Sequence, residues 1–136
     1  MKAVLKTLAI STVALTISGA ALAADWEGGD AAKGQKIFNK CKACHTIDPS
    51  GANAIGPDLY GVFGRTAGTK ADYTYSAAMK AKGAGGLVWS EETLFQYLEK
   101  PQAYVPGTNM SFPGLKKPED RQNLIAYLEK ATGHEK

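Results

Sequence analysis

Cys41-Lys42-Ala43-Cys44-His45 places two thiols two residues apart, with an imidazole directly after the second. On one helical turn, thiols at this spacing can each add to one of the two vinyl groups of a haem. The imidazole that follows is then carried beneath the iron as its proximal ligand. C-x-x-C-H is the attachment signature of a c-type haem. The chain has 2 cysteines, so both thiols belong to this motif. A reversible dithiol–disulfide pair is the competing chemistry for C-x-x-C. It gives His45 no role, and no βαβ pattern surrounds the motif.

A second chemical element lies further along, in Tyr104-Val105-Pro106-Gly107-Thr108-Asn109-Met110-Ser111-Phe112-Pro113-Gly114. Its prolines and glycines predict a stiff, compact loop with Met110 at its centre. A thioether is a soft, neutral ligand that favours reduced over oxidised iron. Met110 is therefore the candidate sixth ligand. Its rivals are Met79, which an Ala-rich helical stretch marks as core, and His134, which falls past the last helix stop and reads as a solvated tail.

Helices must position these groups, and almost no strand pattern is present. The first is expected over Asp30 to Cys41, with Gly34, Phe38 and Cys41 on one face. A short one is expected over Ser76 to Lys82, before Gly83. The third lies within Val88 to Lys100, with Ser90 as N-cap, Glu91 and Glu92 in the first turn, and Pro101 as the stop. Leu94, Tyr97 and Leu98 form its apolar stripe. The last opens at Pro118-Glu119-Asp120 and ends at Gly133, with Leu124, Tyr127, Leu128 and Ala131 on one face and Ile125 flanking it. Residues 51–69 read as loop.

Residues 1–23 read as a secretory signal peptide: Lys2 and Lys6 precede an apolar run, and Ala21-Leu22-Ala23 is an A-x-A cleavage site. The run is too short and wrongly flanked for a stable membrane span. Cleavage after Ala23 leaves residues 24–136 as one small domain and points to a bacterial periplasm. The whole chain carries 16 basic and 13 acidic residues, and removing Lys2 and Lys6 lowers the net charge from +3 to +1. That balance excludes a nucleic-acid binder, which needs a marked basic excess.

The two chemical elements stand within longer ordered segments. These are Gly29 to Gly34, Cys41 to His45, Gly56-Pro57-Asp58-Leu59-Tyr60-Gly61-Val62-Phe63-Gly64-Arg65, Trp89 to Leu94, Pro106 to Met110 and Leu124 to Leu128. Together they resemble the class I c-type cytochromes, the family of mitochondrial cytochrome c and its short-type bacterial periplasmic relatives. The resemblance runs from Gly29 to Thr132. It implies an all-α single domain of helices and loops wrapped around one covalently attached haem c. It implies thioethers from Cys41 and Cys44, with His45 and Met110 as axial ligands of the iron. The Pro57 carbonyl would accept the Nδ1 proton of His45, fixing the ring. Arg65, Tyr75 and Trp89 would meet a buried haem propionate, and Tyr97 and Thr108 would lie near the Met110 sulfur. Gly34 and Phe38 would cross against Leu124 and Tyr127.

The implied role is one-electron carriage in a respiratory or photosynthetic chain by a monomer that acts as no enzyme. The donor would be a quinol-oxidising complex or a periplasmic dehydrogenase; the acceptor would be an oxidase, a reductase or a photosynthetic reaction centre. One departure stands out. Gln102, Ala103 and Asn109 occupy haem-edge positions that are lysine in mitochondrial forms, leaving Lys40, Lys42, Lys100, Lys116 and Lys117 there. An enzyme or gas sensor is the alternative if Met110 leaves the iron open.

Overall fold

The computed structural model describes residues 24–134, so the expected signal peptide lies outside the described residues. Five helices follow in order: α1 Ala31–Phe38, α2 Ala77–Ala84, α3 Glu91–Glu99, α4 Pro101–Tyr104 and α5 Pro118–Ala131. Among the described residues the extended pairing is one antiparallel bridge, Thr66 with Val88. The architecture is the all-helical one expected.

The helix starts follow from their caps. The Asp30 carboxylate accepts from the N–H groups of Ala32 and Lys33, satisfying donors that α1 cannot pair internally. Ser90 and Thr93 cap α3 reciprocally: Ser90 Oγ accepts from the Thr93 N–H at 3.2 Å, and Thr93 Oγ1 accepts from the Ser90 N–H at 2.8 Å. Pro118 occupies the first turn of α5, where its missing N–H costs nothing, and Glu119 and Asp120 follow it at the positive end of the helix dipole.

The structure departs from the sequence reading at several points. α1 ends at Phe38 rather than Cys41, and the chain goes on in a run of tight turns, with Cys41 N–H bonded to Phe38 O at 2.8 Å and His45 N–H to Cys41 O at 3.0 Å. α2 runs through Gly83 instead of stopping before it. The helix passes so near the Ala67 carbonyl there that a side chain would overlap it, so the glycine marks a close approach. Pro101 does end α3, as expected, but it also opens the short α4. His134 is no solvated tail. Its ring stacks on Phe63 at 4.6 Å between centroids, and Nε2 lies 3.5 Å from Glu91 Oε1.

The core contains Phe38, Trp89, Leu94, Tyr97, Leu98, Leu124, Ile125 and Leu128, drawn from α1, α3, α5 and the loop before α3. α1 and α5 make the most intimate contact. Asp30 N–H donates to Asn123 Oδ1 at 2.7 Å, and the rings of Phe38 and Tyr127 pack 5.4 Å apart. Gly34 lies at the crossing. A methyl there would overlap the Asn123 carbonyl and lie 2.7 Å from Tyr127 Cβ. Glycine thus lets two backbones meet where any side chain would separate them. Gly34→Val is therefore expected to cost about 1–3 kcal/mol or more by overpacking. Urea unfolding of the haem-loaded protein measures it, and an unchanged midpoint would place the crossing elsewhere.

Candidate functional site

A cavity of about 350 Å³ opens inside this helical shell. All ten sequence-predicted site residues line it: Cys41, Cys44, His45, Pro57, Arg65, Tyr75, Trp89, Tyr97, Thr108 and Met110. The turns after α1 bring the two thiols and the imidazole to the wall. Cys44 N–H bonds to Cys41 O at 3.0 Å, so the two cysteines are one tight turn apart. No disulfide joins them. Burial pushes the Cys41 thiol up to about 11, against the pull of the neighbouring Lys40 charge.

His45 Nδ1 lies 2.8 Å from the Pro57 carbonyl. A carbonyl only accepts, so Nδ1 carries the proton and Nε2 keeps its lone pair. Burial lowers the pKa of the ring, while the Pro57 bond and the Asp58 charge work the other way. Gly56 makes room for this arrangement: a Cβ there would lie 2.6 Å from His45 Cε1. The cradle therefore fits a flat, neutral imidazole with one free nitrogen.

The second donor arrives on the loop after α4. Met110 Sδ accepts from the Tyr97 hydroxyl at 3.0 Å, and Met110 N–H donates to Thr108 Oγ1 at 3.2 Å. Burial pushes the Tyr97 phenol up to about 12, so it remains a donor through the neutral range. Burial likewise raises Tyr75. Arg65 gives Nη1 to the Asp58 carbonyl at 3.0 Å and Nη2 to the Tyr60 carbonyl. A guanidinium has five N–H donors, so these two bonds anchor it and leave others for an anion. Trp89 is held from both sides of its backbone, through Arg65 O at 2.9 Å and Gly64 N–H at 2.8 Å.

The wall also contains residues that sequence reasoning did not assign to the site. Tyr73 packs edge-on to Tyr75 at 4.8 Å and donates to the Ile55 carbonyl at 3.0 Å. Met79, expected in the core, is buried and faces the same cavity. The run of aromatics at Tyr73 and Tyr75 was the available signal for the first; for Met79 it was the thioether that made it the rival of Met110.

The donor set and the cradle fit a haem joined through two thioethers. A small helical shell with a C-x-x-C-H turn on the wall of one apolar cavity defines an electron-transferring c-type haem protein. The comparisons agree. A family model described as "Cytochrome c" matches residues 31–132. The cytochrome c of Gossypium barbadense is 52% identical over 105 residues, covering 76% of this chain and 92% of that protein. That of Nigella damascena is 50% identical over 105 residues, with the same coverage of 76% and 92%. That of Cochliobolus lunatus is 50% identical over 108 residues, covering 79% of this chain and 97% of its own. The chain belongs to the cytochrome c family, as a class I member. It is an electron carrier rather than an enzyme, and Cys41 and Cys44 are its pair for covalent haem c.

The raised Tyr97 value makes a pH prediction. Its ordinary value is 10.0 and its folded value about 12, so the folded chain holds this proton longer than the unfolded chain does. Stability linked to Tyr97 is then complete below about pH 10 and is lost as pH climbs towards about 12. Urea midpoints across that range should fall less steeply for Tyr97→Phe than for the wild type. Parallel curves would show that Tyr97 does not carry the alkaline loss.

Proposed function

We propose that this chain is a periplasmic one-electron carrier whose iron is held axially by His45 Nε2 and Met110 Sδ. The observation that carries the reading is the pairing of donors on one cavity: a ring nitrogen freed by the Pro57 bond and a sulfur oriented by Tyr97. A bound haem supplies a one-electron iron couple. The residues do the rest. With both His45 and Met110 as ligands, the metal would have no open position for dioxygen, peroxide or substrates. The Met110 thioether favours the reduced state, and the apolar wall disfavours the extra charge of the oxidised one, so the potential should be positive. Arg65, Tyr75 and Trp89 supply charge and donors to a buried propionate.

Residues 1–23 would direct export and be removed after Ala23, leaving residues 24–136 as a monomeric carrier. No described helix is long and apolar enough to cross a membrane. Electrons would come from a quinol-oxidising complex or a periplasmic dehydrogenase. They would pass to an oxidase, a reductase or a photosynthetic reaction centre, through contacts at the small end of the interface scale.

Met110→Ala tests the ligation. The haem should stay attached, because the thioethers do not depend on Met110. The reduction potential should fall sharply, and added ligands such as imidazole should bind readily. An unchanged potential with an intact long-wavelength charge-transfer band would move the ligand to Met79.

Docking generates a further prediction. Gln102, Ala103 and Asn109 are exposed and uncharged, beside exposed Lys40, Lys42, Lys100, Lys116 and Lys117. Steering by opposite charges speeds encounter and fades with salt. Electron transfer to an acidic-faced acceptor should therefore slow only modestly from low to physiological ionic strength. Gln102→Lys, Ala103→Lys and Asn109→Lys together should steepen the dependence and raise the low-salt rate in stopped-flow kinetics. Superimposable salt curves would mean that docking does not use this edge.

A further inference from the structure

Among the described residues Asp58 is the one fully buried carboxylate, at 0% exposed. It follows Pro57, whose carbonyl takes the His45 proton. Both carboxylate oxygens are in use: Oδ2 accepts from the Asp48 N–H at 2.9 Å, and Oδ1 from the Tyr60 N–H at 2.9 Å. Its own N–H donates to Asn53 Oδ1 at 2.9 Å. Its carbonyl accepts from Arg65 Nη1 at 3.0 Å. Four bonds thus fix the residue next to Pro57, from three separate stretches of loop.

Among the described residues no salt bridge reaches the Asp58 carboxylate. The close basic–acidic contacts there are Arg121 with Glu99 and His134 with Glu91, and neither involves Asp58. Arg65 reaches the Asp58 backbone and not its carboxylate. A negative charge buried away from water is weakly screened by solvent, so its field extends to its neighbours. His45 lies within that reach, bonded to the carbonyl of the residue that precedes Asp58.

We infer that Asp58 is a positioning residue for the proximal side: it holds the Pro57 carbonyl against His45, and its buried charge lowers the reduction potential of the carrier. The second half follows from sign alone. A fixed negative charge stabilises the more positive, oxidised state of a nearby centre. The inference rests on the reading of His45 as an axial ligand. It gives the chain two opposed settings, with the Met110 thioether raising the potential and Asp58 lowering it.

Asp58→Asn on the haem-loaded protein tests this. The amide keeps the shape and loses the charge. It can accept one of the two N–H bonds but not both, because its NH2 end is a donor. Equilibrium with a mediator of fixed potential should move about tenfold towards the reduced protein, a rise of about 59 mV for one electron. In the reduced protein, the His45 Nδ1 proton resonance should move upfield as the Pro57 bond lengthens. Glu119→Gln, in the first turn of α5 and outside the Asp58 network, is the control. Glu119 is exposed and its substitution removes the same formal charge, so the potential should stay at the wild-type value.

An unchanged potential in Asp58→Asn, with the wild-type axial spectrum retained, overturns the inference even if stability drops. Asp58 would then only brace the loops. A wild-type spectrum lacking an imidazole–thioether pair overturns the reading of the ligands instead, and the inference with it. If Asp58→Asn does not fold, the wild type decides. Infrared difference spectra between redox states, with 13C-labelled aspartate, should show an ionised carboxylate band that shifts on reduction. The absence of such a band overturns the inference.

Discussion

The crossing of α1 and α5 at Gly34 is the contact on which the rest of the structure depends. It joins residues 93 positions apart through Asp30 and Asn123, and it requires a backbone without a side chain. Because α1 is pinned there, the turns that leave it at Phe38 have a fixed origin, and Cys41, Cys44 and His45 come to the cavity wall. The buried face of α5, with Leu124 and Leu128, closes the same cavity from behind. The chemistry is carried by turns and loops, and the helices fix where those loops begin and end.

Within the site, each reactive atom is set by a second atom that does no chemistry of its own. The Pro57 carbonyl decides which nitrogen of His45 is free, and the Tyr97 hydroxyl orients the Met110 sulfur. Burial supports both. It lowers His45 towards its neutral form and raises Tyr97 so that it keeps its proton. One low-dielectric wall therefore prepares an acceptor on one residue and a donor on another.

Much of this was legible in the sequence, for a reason that varies with the residue. Cys41, Cys44 and His45 are readable because covalent attachment demands local spacing. Asp30, Ser90 and Pro118 are readable because helix ends need particular side chains within a turn. Met110 stands out only because proline and glycine isolate it. Other features depend on partners far along the chain. Asp58 looks like an ordinary loop acid until Asp48, Tyr60, Asn53 and Arg65 close around it. His134 follows a helix stop and acquires its place from Phe63 and Glu91. Gly83 reads as punctuation, and only the fold shows Ala67 pressed against it.

The distance along the chain between α1 and α5 also sets an order of events. A growing chain makes α1 and the C-x-x-C-H turn early and α5 last. Until α5 emerges, Gly34 has nothing to pack on, and the segment carrying both thiols cannot be locked into place. Contacts between such remote segments are slow to form, because loop closure must come first. Until that crossing closes, the turn carrying Cys41 and Cys44 keeps a freedom that the finished fold removes.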